Sequence, residues 1–354
     1  MRPPPASLPL TDRPALPTHA FNVCPDLKMN SLLPSKPPLL VLLAAILTLG
    51  SSGHATTAGA HPGHRILIGY GEGLMELDEQ KKIVWHYQNP EIGLVHDAWK
   101  LENGNILFSH RYGVREVNAA QETVWDFKVP RTRDQEINAC QPLGGGKVMI
   151  LDCGNQKLLE VDRQQQVTLS MDLPDGGKVP HNRYMQARKT AQGTYLVSYR
   201  EKARVVELNA GGQVIWEYAL NPTDRPFTAV RLANGNTLVP CITSNRIIEI
   251  TPGGEISWEL NPTDDLGFQI LYPIGIQVLG NGNMVVINTD YHHQQGSSND
   301  VQAFEITRQK EVLWTLKKAD LENGCKVPVV EAGTKMPSHH LFSIQVFGEN
   351  PMLK

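Results

Sequence analysis

The chain predicts an all-β fold, a six-bladed β-propeller of four-stranded antiparallel blades. Three observations predict it. The line "LMELDEQKKIVWHY" recurs as "VREVNAAQETVWDF", "LLEVDRQQQVTLSM", "VVELNAGGQVIWEY", "IIEITPGGEISWEL" and "AFEITRQKEVLWTL". In five of these six copies a Glu stands nine residues before a Trp: Glu76 and Trp85, Glu116 and Trp125, Glu207 and Trp216, Glu249 and Trp258, Glu305 and Trp314; Glu160 has Leu169 in that place. Between the copies lies a second element, "AWKLENGNILFS", "ACQPLGGGKVMIL", "ARKTAQGTYLVSY", "AVRLANGNTLVPC" and "GIQVLGNGNMVVIN", two apolar runs around a Gly-bearing turn, which is the written form of a hairpin. Four short strands recurring every 40 to 50 residues or so describe a propeller blade.

The elements follow in order. The stretch 1–28 is Pro-rich and reads as a disordered leader or an over-extended start, with Met29 placed as the initiator. Residues 29–55 read as a secretory signal peptide: "KPPLLVLLAAILTLGSSGHATT" has a Lys, an apolar run from Leu39 to Leu49 and small residues ending at Ala55, with Ala60 a second cleavage point. The run is too short to span a bilayer, so no stable membrane span is expected after cleavage. Residues 56–64 form a linker, and 65–354 the propeller.

The first copy, "HRILIGYGEGLMELDE", starts at the second strand of a blade. Its missing inner strand lies at the far end of the chain, where "SIQVFGENPML" matches "GIQVLGNGNMV". The last strand is therefore expected to complete the first blade and close the ring, leaving no blade edge unpaired. In each blade, strands A and B come from the hairpin, C carries the Glu and D the Trp. Strand C is apolar on both sides of its Glu, as a strand buried on both faces must be. The Glu and Trp columns are read as architecture.

Composition narrows the function. With 41% hydrophobic residues, a formal charge of -3, thirty glycines and twenty-five prolines, this is a globular, turn-rich chain without the basic surplus of a nucleic-acid binder. Cys140, Cys153, Cys241 and Cys325 match no disulfide framework and no zinc spacing, so they read as buried thiols, with Cys140 and Cys153 the pair to test.

In an up-and-down blade the A–B and C–D turns share one face of the disc, and the B–C and D–A connections share the other. The second face receives every long segment and, from Arg65 onward, all the histidines but His86. It is therefore the expected ligand face, around a central funnel. The predicted catalytic set is His96, His181 and Tyr199. The predicted lining is Tyr70, Asp97, His110, Arg111, Tyr112, Asn138, Arg183, Arg200, His339 and His340. Neutral His and Tyr suit sugar hydroxyls, and the arginines suit a carboxylate or sulfate. A polar small molecule or glycan is the expected ligand. A His and Tyr beside an Arg would serve proton abstraction next to a carboxylate, as in a polyuronide lyase, and a His nucleophile would serve sulfuryl transfer. No His-x-His or His-x3-His spacing points to a metal. The competing reading is a non-enzymatic scaffold that shows Tyr291 and Phe342 to a protein partner.

The segments "ELNAGGQVIWEY" and "EITPGGEISWEL" resemble the Trp-docking repeats of quinoprotein (PQQ-like) propellers, and "HDAWKLENGNILFS" is similar to arylsulfotransferase-type and related exported bacterial propellers. The likeness extends over residues 65–354 and implies the propeller fold. Quinoprotein dehydrogenases have eight blades and an adjacent Cys pair, which this sequence lacks, so PQQ is not an expected cofactor and the cofactor is left open.

Overall fold

The computed structural model describes residues 63–130, 134–289, 300–324 and 340–349. Six four-stranded antiparallel sheets form the blades of a propeller. Blade 1 joins Leu341–Val346 to Ile66–Tyr70, Gly73–Leu77 and Ile83–Gln88, with Ile66 opposite Val346 and Ile68 opposite Ile344. The last strand thus closes the ring. Strand A is Ala98–Lys100 in blade 2, Ile137–Pro142 in blade 3, Ala187–Lys189 in blade 4, Val230–Arg231 in blade 5 and Pro273–Val278 in blade 6. The interior strands are buried on both faces, as in Ile66–Tyr70 and Met284–Asn288, and supply the packing between blades.

The nine-residue spacing of Glu and Trp has a geometric cause. Each Glu lies opposite its Trp, or opposite Leu169 in blade 3, and the pairing slips by one residue immediately after the Glu. Leu77, for instance, faces Ile83, which leaves Val84 bulged out of strand D. A bulge adds twist at the outer edge and spoils it as a template for another strand.

The two columns tie neighbouring blades together. Trp85, Trp125, Trp216 and Trp258 donate their indole N–H to the carbonyls of Ala119, Arg163, Pro252 and Arg308, each three residues beyond the Glu of the following blade. The Glu carboxylates in turn receive a basic side chain of the next blade: Glu76 from Lys100, Glu116 from Arg163, Glu160 from Lys189, Glu207 from Arg231 and Glu249 from Arg308. Glu305 meets the His64 ring at 2.6 Å. Where Leu169 replaces Trp, Lys189 stacks on Tyr195 and a groove opens beside Leu143, Lys147 and Thr190.

The inner strands do not pair backbone to backbone between blades, so side chains satisfy their outward-facing donors. Gln141 accepts from the Lys189 N–H, Gln345 from Lys100 and Gln277 from Val346. Asp97 of blade 2 and Arg188 of blade 4 meet in a buried two-pronged ion pair at 2.8 and 3.1 Å, which bridges non-adjacent inner strands across the channel. Arg188 also lies over the Trp99 ring at 5.0 Å. Cys140, Cys153 and Cys241 are buried free thiols, and Cys140 and Cys153 pack in separate clusters rather than as a pair. Cys325 lies outside the described residues. Among these residues no helix is long and apolar enough to cross a membrane.

Candidate functional site

The D–A connections that lead into blades 2, 3 and 4 bring His96, Glu136 and His181 together, and Arg200 enters from the B–C connection of blade 4. His96 enters just before the inner strand of blade 2, where the chain dives toward the axis, and is 1% exposed. The Phe342 ring of blade 1 meets it edge-on at 4.9 Å and 81°, and the His181 ring lies 5.7 Å away. Neither ring nitrogen of His96 has a hydrogen-bond partner among the described residues. Burial, reinforced by the neighbouring His181 charge and only partly opposed by Glu136 and Asp97, pulls His96 down to about 4, so it is neutral near pH 7.

His181 sits on the single helical turn Pro180–Arg183, in the D–A connection that leads into blade 4. Its Nδ1 lies 3.0 Å from the Glu136 carboxylate. Burial pushes Glu136 up, but the His181 bond and the charges of His181, His96 and Arg111 outweigh it and hold the carboxyl below its usual range. Arg200 donates to the Tyr272 hydroxyl at 2.8 Å, and its guanidinium approaches the Met185 sulfur. Tyr272 holds a left-handed φ of 50°, a costly position for a bulky side chain, with its N–H fixed by Asn245. That strain sits where Tyr272 supports Arg200.

The predicted residues separate into those the funnel gathers and those it does not. His96, His181 and Arg200 converge, and the Arg111 charge reaches Glu136 from the rim. Tyr70, His110 and Tyr199, each at the end of a strand B, turn outward instead. Tyr70 lies over Gly73 and bonds His86 on the outer strand at 2.9 Å. His110 bridges likewise to Asp126 at 3.4 Å; burial raises the Asp126 carboxyl, but His110 and Arg115 together hold it well below its usual range. Tyr199 is covered by Arg204, itself paired with Glu217 on the outer strand. The reason is alternation: strand residues point to the two sheet faces in turn, and the last residue of strand B faces the space between blades rather than the axis.

Three more expectations need correcting. Arg183 spends its donors on the carbonyls of Gly177, Cys153 and Gly154, which leaves no fork for an anion. Asp97 is committed to Arg188 and also accepts the Cys140 N–H. Phe342 is 3% exposed and forms part of the funnel wall rather than a partner surface. Asn138, fully buried, donates to the Tyr184 carbonyl. Tyr112 stands half-buried beside His110 at 6.3 Å, and the His340 carbonyl accepts the Gly71 N–H. His339 and Tyr291 lie outside the described residues. Glu136 and Tyr272 were missed in the sequence; both lie in D–A connections, so a search for every ionisable or phenolic side chain on that face of the disc would have found them.

The sequence profile of a family described as Mal s 1 allergenic protein-like matches residues 74–263, more than half of the 354. No curated protein matches the chain. Among solved structures, a protein of unknown function from Bacteroides caccae superposes with a TM-score of 0.67 at 22% identity, over 80% of this chain and 98% of that one. A structure of a nidogen/laminin complex gives 0.53 at 8% identity, over 80% and 97%. A catalytically inactive virginiamycin B lyase from Staphylococcus aureus with quinupristin gives 0.52 at 12%, over 73% and 86%. At these identities the likeness is one of fold.

Proposed function

The chain belongs to the Mal s 1 allergenic protein-like family, and from that premise we propose that it is an exported propeller that binds a polar small molecule or saccharide in the funnel around His96. The observation that carries this reading is the His96 ring, buried with both nitrogens unpartnered among the described residues. A neutral imidazole offers one donor and one acceptor, and leaving both unmet costs on the order of 1–3 kcal/mol each. Two hydroxyl groups of one ligand, one accepting from the ring N–H and the other donating to the bare nitrogen, meet that need, and a saccharide carries them at such spacings. Export rests on the signal-like segment 29–55.

The test is ligand-induced thermal stabilisation across sugars, uronates and aryl sulfates, applied to the wild type, His96→Ala and His181→Ala. The expected result is a saturable rise of a few degrees for at least one compound, about 3 kcal/mol at a hundredfold excess over Kd, lost in His96→Ala. An equal rise in all three proteins, or none across the panel, overturns the reading. Release of a phenol from an aryl sulfate would favour sulfuryl transfer, the activity that the arylsulfotransferase resemblance implies.

A second reading, a scaffold for a protein partner, is favoured by one observation: bulged and neighbouring residues of the outer strands stay exposed, including Val84, Val124, Val214 and Ile215. Substitution of Val214 and Ile215 with Lys would abolish such an interaction and leave ligand-induced stabilisation unchanged.

A further inference from the structure

We propose that Glu136, His181 and His96 form an acid–base centre that removes a proton from the carbon next to a carbonyl or carboxylate of the funnel ligand, with His181 as the catalytic base, Glu136 as its positioning residue and His96 as the donor to the developing oxyanion. The inference rests on the binding reading above and adds a reaction class to it.

The chemistry follows from the hydrogen-bond arithmetic. An ionised carboxylate only accepts, so the 3.0 Å contact with Glu136 places the His181 hydrogen on Nδ1. In the neutral form of the ring the lone pair is thereby left on Nε2, the arrangement that makes a histidine a base with a fixed tautomer. The His181 side chain is 36% exposed, whereas His96 beside it is 1% exposed and packs against the Phe342 ring. The two ring centroids lie 5.7 Å apart, so a ligand held against His181 lies beside His96 and meets it where the Phe342 edge gives way. Neutral His96 can donate a hydrogen bond to an enolate oxygen without first giving up a charge, and a preorganised donor in a dry site is worth far more than one in water.

The step balances within the site. The Nε2 lone pair of His181 takes the α-proton, the C–H electron pair becomes the C=C bond of the enolate, and the carbonyl π pair moves onto oxygen, where the His96 N–H holds it. Return of a proton from His181 to the same carbon restores the carbonyl, so no oxidant, reductant or second substrate is required.

Hydrogen–deuterium exchange in D2O, followed by proton NMR, tests this with dihydroxyacetone, pyruvate and D-glucuronate as probes. For at least one probe that stabilises the protein, α-hydrogen exchange is expected to run about 100-fold faster than in buffer. It should vanish in His181→Ala, fall at least about tenfold in Glu136→Gln and recover in Glu136→Asp. Ring 15N spectra should report Nδ1–H on neutral His181 in the wild type and a mixture with the Nε2–H tautomer in Glu136→Leu, which offers no acceptor; a wild type already mixed overturns the assigned base. A probe that stabilises the protein yet exchanges at the buffer rate overturns the acid–base centre while leaving the binding reading intact, and exchange that survives His181→Ala overturns it as well. If no probe stabilises the protein and none of the wider panel does, both readings fall together.

Discussion

His96 links burial to acid stability. The unfolded chain takes up a proton on this ring below pH 6.5, whereas the folded protein refuses it until about pH 4. Protonation therefore favours the unfolded state as pH falls through that window, and stability present above pH 6.5 is lost by roughly 3 kcal/mol at its lower end. Urea unfolding at pH 7 and pH 4.5 checks it: the wild type should lose more between the two than His96→Gln, and equal losses would show that the site does not exclude the charge. The same position shows what a sequence reveals about a side chain. Placing His96 and His181 in D–A connections needs only the strand order. Their partners, a phenyl edge from blade 1 and a carboxylate 45 residues away, come from other connections and follow no repeat.

The C–D hairpin shows repetition with a built-in tension. Its turn requires a left-handed residue five positions after the Glu, and all six blades comply, through Gly212 and Gly254 but also through Lys81, Gln121, Gln165 and Lys310 at φ from 63 to 68°. A side chain there costs about 1–2 kcal/mol, offset by the lower unfolded-state entropy of a non-glycine residue. Gly254→Ala meets no close neighbour, with Tyr218 at an ordinary 3.9 Å, so its effect isolates the backbone. It should destabilise by about 1 kcal/mol, whereas Gln121→Gly should be neutral or gain up to about 1 kcal/mol; urea midpoints at constant slope decide it. A destabilised Gln121→Gly would mean that the glutamine side chain contributes more than its backbone strain removes. The turn's variable composition hid this constraint, since only two of six copies carry the diagnostic glycine.

Closure makes the ring a single cooperative body. The strand Leu341–Val346 contributes wholly buried residues, among them Phe342 on His96; its Ser343 and Gln345 side chains accept the Ala98 and Lys100 N–H groups of blade 2, and its Val346 N–H donates to Gln277 of blade 6. Deletion of residues 341–354 should abolish the single cooperative calorimetric transition as well as ligand-induced stabilisation, because it opens the ring and removes one wall of the funnel at once. A truncated chain with an unchanged transition would show that the closing strand is dispensable. Fold and closure were legible because six copies of one local pattern report the same contacts.

The amino-acid order by itself determined the blade count and the strand that closes the ring. Each of these depends on periodicities within a few tens of residues, and repetition makes such patterns unambiguous. Only the tertiary structure decided that Tyr70, His110 and Tyr199 turn outward, that Arg183 and Asp97 are consumed by structural bonds, and that Glu136 stands behind His181. Those outcomes depend on which sheet face a side chain emerges from and on what distant connections bring beside it once the ring has closed.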